Sequence, residues 1–327
     1  MSQQKRQKIY SYLYNVGQEL SRAPGKFGME AATNFICVWH QSNRYAGEEN
    51  TQMALAVFNF ESQFLKGNTE ICVILPNLPK QETPEAFYGS ERKYKVMWLF
   101  HGGGGDASDW IRKSSIELYA AENELAIVTI SGCNAMYTNW PTFANGMDYT
   151  SFFFRELMPL VYGWFPVSEK KEDNFIAGLS MGAAGALKYA ITNPERFAGC
   201  ICLSSCGKAY SLDYVDDGDR TSPPKTQQHN GIANAGGIEK FYCSTDNIRY
   251  QLEKRKEEGT LSSLPPVYMS YGEDDHHYEE GLDFKRFAEN IGMDLTFTSI
   301  PGYKHEWRFW NIGIQEGLKF FGFQSRI

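Results

Sequence analysis

One pentapeptide narrows the folds open to this chain more than any other feature. Gly178-Leu179-Ser180-Met181-Gly182 sits between an apolar run, Asn174-Phe175-Ile176-Ala177, and a small-residue run, Ala183-Ala184-Gly185-Ala186-Leu187. The first run predicts a buried strand and the second a helix. A serine on so tight a strand-to-helix turn has strained backbone, and side chains at the flanking positions would collide with neighbouring elements. Glycine at both ends removes the collision and leaves the hydroxyl exposed at the helix N-terminus. There, free N–H groups and the positive end of the helix dipole face any oxyanion that forms beside the serine. The pattern nominates Ser180 as a nucleophile.

The rest of the chain supplies the sheet such a turn needs. Segments 53–60 and 69–75 predict two strands joined by a turn at Lys66-Gly67-Asn68, with Pro76 and Pro79 ending the second. From residue 95 the pattern alternates: strands at 95–100, 125–130, 174–177, 199–203, 266–271 and 294–300. Helices fall between them at 108–121, 149–164, 181–192, 246–258 and 278–291, with a last one at 307–321. Strands alternating with helices predict an α/β fold with a mostly parallel sheet, helices on both faces and ligands at the strand C-termini. The irregular stretch 206–264 is long for a plain loop and is expected to cover the site. Residues 53–327 are read as the catalytic domain and 1–52 as an N-terminal extension of open role: an edge element, an oligomer contact or a tail.

Charge and composition exclude several partner classes. A net charge of −7, with short basic clusters interleaved with acids, argues against nucleic acid. No apolar segment is long enough to span a bilayer, and the basic start at Lys5-Arg6 has no apolar region behind it. The seven cysteines are odd in number and lie mostly in apolar strands, which predicts buried free thiols and a cytoplasmic location. There is no C-x-x-C pair to build a zinc or redox site on. The expected partner is a small molecule, with a homo-oligomer left open.

A serine hydroxyl needs a base, an orienting acid and oxyanion donors. In a sheet of this kind the acid and then the histidine follow the serine. Of the six histidines, His40 and His101 precede it, and His229 lies in the irregular stretch. His276 and His277 directly follow a strand, whereas His305 lies on the loop between the last strand and last helix. That loop can carry an imidazole back over the strand ends, so His305 is the candidate base. The strand before it ends in Gly272-Glu273-Asp274-Asp275, and either aspartate can supply the acid. Strand 95–100 runs into His101-Gly102-Gly103-Gly104-Gly105, whose glycines let backbone N–H groups turn towards a carbonyl. A phosphate loop is excluded there because the lysine of G-x-x-x-x-G-K-[ST] is missing and Asp106 would repel phosphate. Gly103 and Met181 are the candidate oxyanion donors. Trp140, with Tyr137 and Phe143, and Trp307 are candidate substrate-contacting aromatics.

Together these residues resemble the putative-esterase family of α/β-hydrolases, in particular its tributyrin-esterase-like branch. Relatives of that branch include S-formylglutathione hydrolase/esterase D, feruloyl and acetylxylan esterases, and mycolyltransferases. The resemblance runs from about 53 to 321. It is carried by Val73-Ile74-Leu75-Pro76, His101-Gly102 with Trp110, Tyr137-Thr138 leading to Glu156-Leu157, the serine pentapeptide, Gly272-Glu273-Asp274-Asp275, and His305-Glu306-Trp307 with Trp310. It departs at Ala183, where the family has a second glycine, and over 1–52, which has no counterpart.

The resemblance implies an α/β-hydrolase fold and a triad of Ser180, Asp275 and His305, the family spacing selecting Asp275 over Asp274. It also implies a carboxylic ester hydrolase working through an acyl-enzyme, with no metal or organic cofactor. Short-chain acyl esters, acetyl or feruloyl esters of carbohydrates among them, are the expected substrates. The alternatives are an acyltransferase with the same triad, an S-formylglutathione hydrolase-like thioesterase and a binding scaffold without activity.

Overall fold

The computed structural model describes residues 52–141, 145–205 and 234–324. A single eight-stranded sheet organises them: β1 (Gln52–Ser62), β2 (Gly67–Asn77), β3 (Val96–Phe100), β4 (Ala126–Ile130), β5 (Asn174–Leu179), β6 (Gly199–Leu203), β7 (Val267–Gly272) and β8 (Leu295–Ile300). The spatial order is β1-β2-β4-β3-β5-β6-β7-β8. β1 and β2 form an antiparallel hairpin, β2 pairs antiparallel with β4, and every later pairing is parallel. This is the mostly parallel α/β-hydrolase sheet. Pairing continues through Pro76, opposite Met53, to Asn77, beyond the end predicted for that strand. β4 pairs β2 only from Ile71 to Ile74, so the missing N–H of Pro76 breaks no bond on that side.

Seven helices matter to the site: α1 (Asp109–Lys113), α2 (Ile116–Glu122), α3 (Met158–Trp164), α4 (Met181–Thr192), α5 (Ile248–Glu257), α6 (Tyr278–Ile291) and α7 (Trp307–Phe320). The helix predicted over 108–121 is broken into α1 and α2 by extended backbone at Ser114. Its hydroxyl donates to the Trp110 carbonyl at 2.5 Å and accepts the Ile116 amide, a local alternative to helix continuation. The helix predicted over 149–164 has the right extent, but its middle, Phe152–Leu157, is π-helical.

Strands buried on both faces are what the central sequence encodes. In β3, Val96, Trp98 and Phe100 enter one core, and Met97 and Leu99 enter the other. Phe100 stacks on Tyr137 at 4.4 Å, and Phe153 and Tyr189 pack edge-on against it. On the opposite face Trp110, Phe309, Trp310 and Leu318 cover the strands. Full burial of one such apolar side chain contributes about 1.5–3 kcal/mol. These two layers hold the C-terminal ends of β3, β5 and β7 in one fixed row.

The cysteines divide. Cys72, Cys200 and Cys202 are free and buried as expected, and burial pushes the Cys72 thiol up to about 11. Cys133 and Cys243 are free but exposed, contrary to the expectation of buried thiols, because neither lies in a strand: Cys133 is on the loop after β4 and Cys243 follows the helix Ile238–Tyr242. Cys37, Cys206, His40, His229, Phe143 and the extension up to residue 51 lie outside the described residues.

Candidate active site

Ser180 ends β5 and caps α4 with φ 52° and ψ −119°, a left-handed conformation that a side chain adopts only under constraint. Its amide donates to the Leu203 carbonyl at 2.8 Å, which ties the turn to the neighbouring strand. The flanking glycines are required by contact. A Cβ at Gly178 would run into the backbone of Gly182, and one at Gly182 would lie 2.5 Å from the His101 carbonyl oxygen. The strand-to-helix turn is closed on itself and against β3.

The loop after β8 brings an imidazole to the serine. The Ser180 hydroxyl lies 3.0 Å from Nε2 of His305, and Nδ1 of His305 lies 2.9 and 3.1 Å from the two Asp275 carboxylate oxygens. A carboxylate can only accept, so Nδ1 carries the proton and Nε2 offers its lone pair to the hydroxyl. Two backbone bonds hold the loops together: the Glu273 amide donates to the Ile300 carbonyl at 3.0 Å and the Asp274 amide to the Tyr303 carbonyl at 2.9 Å. This stitching turns Asp275 inward, its side chain fully buried, and leaves Asp274 exposed.

Burial works against the Asp275 carboxylate, but hydrogen bonds from His305, the Ser204 hydroxyl and the His277 amide outweigh it and hold its pKa below the ordinary value. Ser204, fully buried after β6, in turn accepts the Trp310 indole N–H at 3.0 Å. Trp310 also packs edge-on to the His305 ring at 4.9 Å. Trp310 therefore fixes the imidazole directly and the carboxylate through Ser204.

The glycine loop after β3 borders the serine on its other side, since a Cβ at Gly102 would come within 3.3 Å of the Ser180 Cβ. His101 is buried, and its ring bridges two loops. Its Nδ1 donates to the Gly102 carbonyl at 2.6 Å and its Nε2 accepts the Gly132 amide at 2.7 Å. Burial lowers its pKa, which suits the neutral ring this bonding requires. Asn134 accepts the Gly104 amide at 2.5 Å. Among the described residues the amides of Gly103 and Met181 have no hydrogen-bond partner.

The aromatic candidates separate. Tyr137 is core, not wall: it is fully buried, its hydroxyl donating to the His101 carbonyl at 3.0 Å. Trp140 is half-buried, with its indole N–H on the Ala135 carbonyl at 2.8 Å. Trp307 packs edge-on against Trp110 and Trp310 at 5.3 and 5.2 Å, with the Lys113 ammonium over its ring. Asn134 and Ser204 take part in the site although their sequence context singles out neither; each follows a strand end, where such sheets bind ligands.

Residues 62–235 match the family described as Putative esterase. The chain belongs to that family. An acetyl esterase of Caldicellulosiruptor saccharolyticus is 29% identical over 259 residues, 79% of this chain and 94% of that protein. Among solved structures, the fluorophosphonate-binding serine hydrolase FphF of Staphylococcus aureus, substrate bound, superposes with a TM-score of 0.68 and 25% identity, covering 82% of this chain and 98% of that one. The S-formylglutathione hydrolase FrmB of the same organism gives a TM-score of 0.66 and 26% identity over the same shares. This esterase is thus a serine ester hydrolase of the α/β-hydrolase type. Among its described residues no helix is long and apolar enough to cross a membrane.

Proposed function

We propose that the esterase cleaves short-chain acyl esters through a Ser180–His305–Asp275 triad and an acyl-enzyme. The observation that carries the reading is the unbroken hydrogen-bonded series from the Ser180 hydroxyl through His305 to Asp275, with 3.0 and 2.9 Å links. His305 Nε2 takes the hydroxyl proton as Ser180 attacks the acyl carbon, and Asp275 stabilises the resulting imidazolium. The Gly103 and Met181 amides receive the oxyanion. His305 then protonates the departing alkoxide, and water, activated by the same imidazole, releases the acid.

The acyl class rests on the likeness to an acetyl esterase and on the loop after β4. The start of that loop is tied to the glycine loop by Gly132 on His101, Asn134 on Gly104 and Tyr137 on His101, which favours a wall that stays in place over one that opens for a long chain. Acetyl groups on carbohydrate fit this reading, with Trp140 as part of the wall; a feruloyl group, longer than a butyryl chain, fits it less well. A thioester is the second substrate class, favoured by the likeness to an S-formylglutathione hydrolase. In this reading 53–327 form the catalytic domain and 1–52 an added N-terminal element.

A fluorophosphonate probe tests the nucleophile. It should label wild type at Ser180, located by peptide mass spectrometry, and leave Ser180→Ala unlabelled. Labelling of the alanine variant at another serine would overturn the assignment.

A further inference from the structure

Three imidazoles converge beside Ser180. His276 and His277 lead into α6 directly after Asp275, and their ring centroids lie 4.2 Å apart. His305 is 4.7 Å from His276 and 5.3 Å from His277 by the same measure. One nitrogen from each of the three rings lies within 4.8 Å of the other two.

Two carboxylates determine which nitrogen His305 and His277 offer. Asp275 takes the Nδ1–H of His305 at 2.9 Å, and Glu280 takes the Nδ1–H of His277 at 2.8 Å. In both neutral rings the lone pair is therefore on Nε2. A carboxylate on the far nitrogen is the arrangement that orients metal-bound imidazoles and raises the basicity of the ligating nitrogen. His276 has no such clamp: its side chain is 66% exposed and its Nδ1 stands 3.7 Å from Asp275 Oδ1, beyond hydrogen-bond distance. Three imidazole nitrogens with a fourth position open to water suit a tetrahedral zinc-class ion, at about 2.0–2.1 Å per nitrogen. Reaching that geometry needs the exposed His276 ring to move in by about an ångström or two, the nitrogens of such a tetrahedron being on the order of 3.3 Å apart.

We propose that His276, His277 and His305 form an inhibitory site for a zinc-class divalent ion, which the exposed His276 closes. Resting on the reading of His305 as the base, occupancy commits the Nε2 lone pair to the metal. The hydrogen bond from the Ser180 hydroxyl is lost and an Nε2–metal bond replaces it; the serine keeps its proton and no electron moves. Turnover stops until the ion leaves.

The full-length enzyme, freed of metal, is titrated with zinc sulfate while hydrolysis of p-nitrophenyl acetate is followed. Zinc binding is read separately by competition with a chromophoric chelator. Hydrolysis should fall with the same midpoint as binding rises, and EDTA should restore it. His276→Ala should keep the metal-free kcat/KM within about twofold and raise both midpoints about tenfold or more, the scale on which metal sites lose affinity when their surroundings are cut back. Cys133→Ser and Cys243→Ser, which remove the two exposed thiols of the described residues, should move neither midpoint. Equal midpoints in wild type and His276→Ala would overturn the site, as would binding that leaves activity intact. Failure of the triad reading is separable: the metal-free enzyme would then be inactive, or Ser180 unlabelled by fluorophosphonate, while the chelator still reported zinc binding that depends on His276.

Discussion

The Asn134 side-chain oxygen accepts the Gly104 amide at 2.5 Å, joining the loop after β4 to the glycine loop beside Ser180. Both residues have left-handed backbone, φ 55° at Asn134 and 75° at Gly104, which asparagine and glycine tolerate best. Asn134 thereby sets the orientation of the peptide next to Gly103. Asn134→Ala should lower kcat about 10- to 100-fold with little change in KM, a smaller loss than the 10²–10³-fold seen when an oxyanion donor itself is removed. Steady-state kinetics with p-nitrophenyl acetate, alongside thermal unfolding, check this. An unchanged kcat, or a loss confined to KM, would mean the glycine loop holds its shape without Asn134.

Asp275→Asn should cut kcat by roughly 10⁴-fold, because an amide at that position favours the wrong imidazole tautomer. Asp274→Asn should be nearly neutral, since Asp274 is exposed and only its backbone amide is tied, to the Tyr303 carbonyl. The reverse ranking in purified variants would move the acid to Asp274, and equal mild effects would place it outside this turn.

Much of this arrangement is legible in the sequence, and the exceptions have physical reasons. The limits of α4, at Met181 and Thr192, follow from the glycine turn before it and the Ala-rich run within it. The break at Ser114 does not, because a serine hydroxyl competing for the Trp110 carbonyl leaves the helical periodicity of its neighbours untouched. Ser180 and His305 stand out by chain order and loop position, whereas two adjacent aspartates carry no such signal. Which of them turns inward depends on bonds to Ile300 and Tyr303, formed between segments distant in sequence. Asn134 and Ser204 are harder still. Each acts through a positive φ and a partner that only the folded sheet brings near.

Lys188 couples the helix of the serine to the segment after residue 234. Its ammonium, 7% exposed, donates to Asp246 and to the Thr138 hydroxyl, both at 2.7 Å. Lys188→Met removes the cation and leaves Asp246 facing Thr138 alone. The expected loss is about 3 kcal/mol, the low end of the range for breaking a buried pair, since Asp246 retains 25% exposure. Urea unfolding measures it, and Lys188→Met with Asp246→Leu should recover part of the loss. A double variant as unstable as the two single losses summed would show that the ion pair is not the coupling.

Acyl-chain preference tests the wall formed by the loop after β4. If the acyl pocket were open, each added methylene would contribute about 0.8 kcal/mol, or about fourfold in kcat/KM. Butyrate would then exceed acetate by on the order of 15-fold, and octanoate would exceed butyrate by far more. In the proposed reading, the loop tied at Gly132, Asn134 and Tyr137 blocks that gain. The expected profile across p-nitrophenyl acetate, butyrate, octanoate and palmitate is therefore flat or falling beyond butyrate. If Trp140 bounds the acyl pocket as proposed, Trp140→Ala should shift the optimum towards longer chains while leaving acetate hydrolysis within about an order of magnitude, since a wall residue touches no reacting atom. A wild-type rate that keeps climbing to palmitate, with activation at a lipid interface, would show the acyl groove to be deep and the short-chain reading wrong.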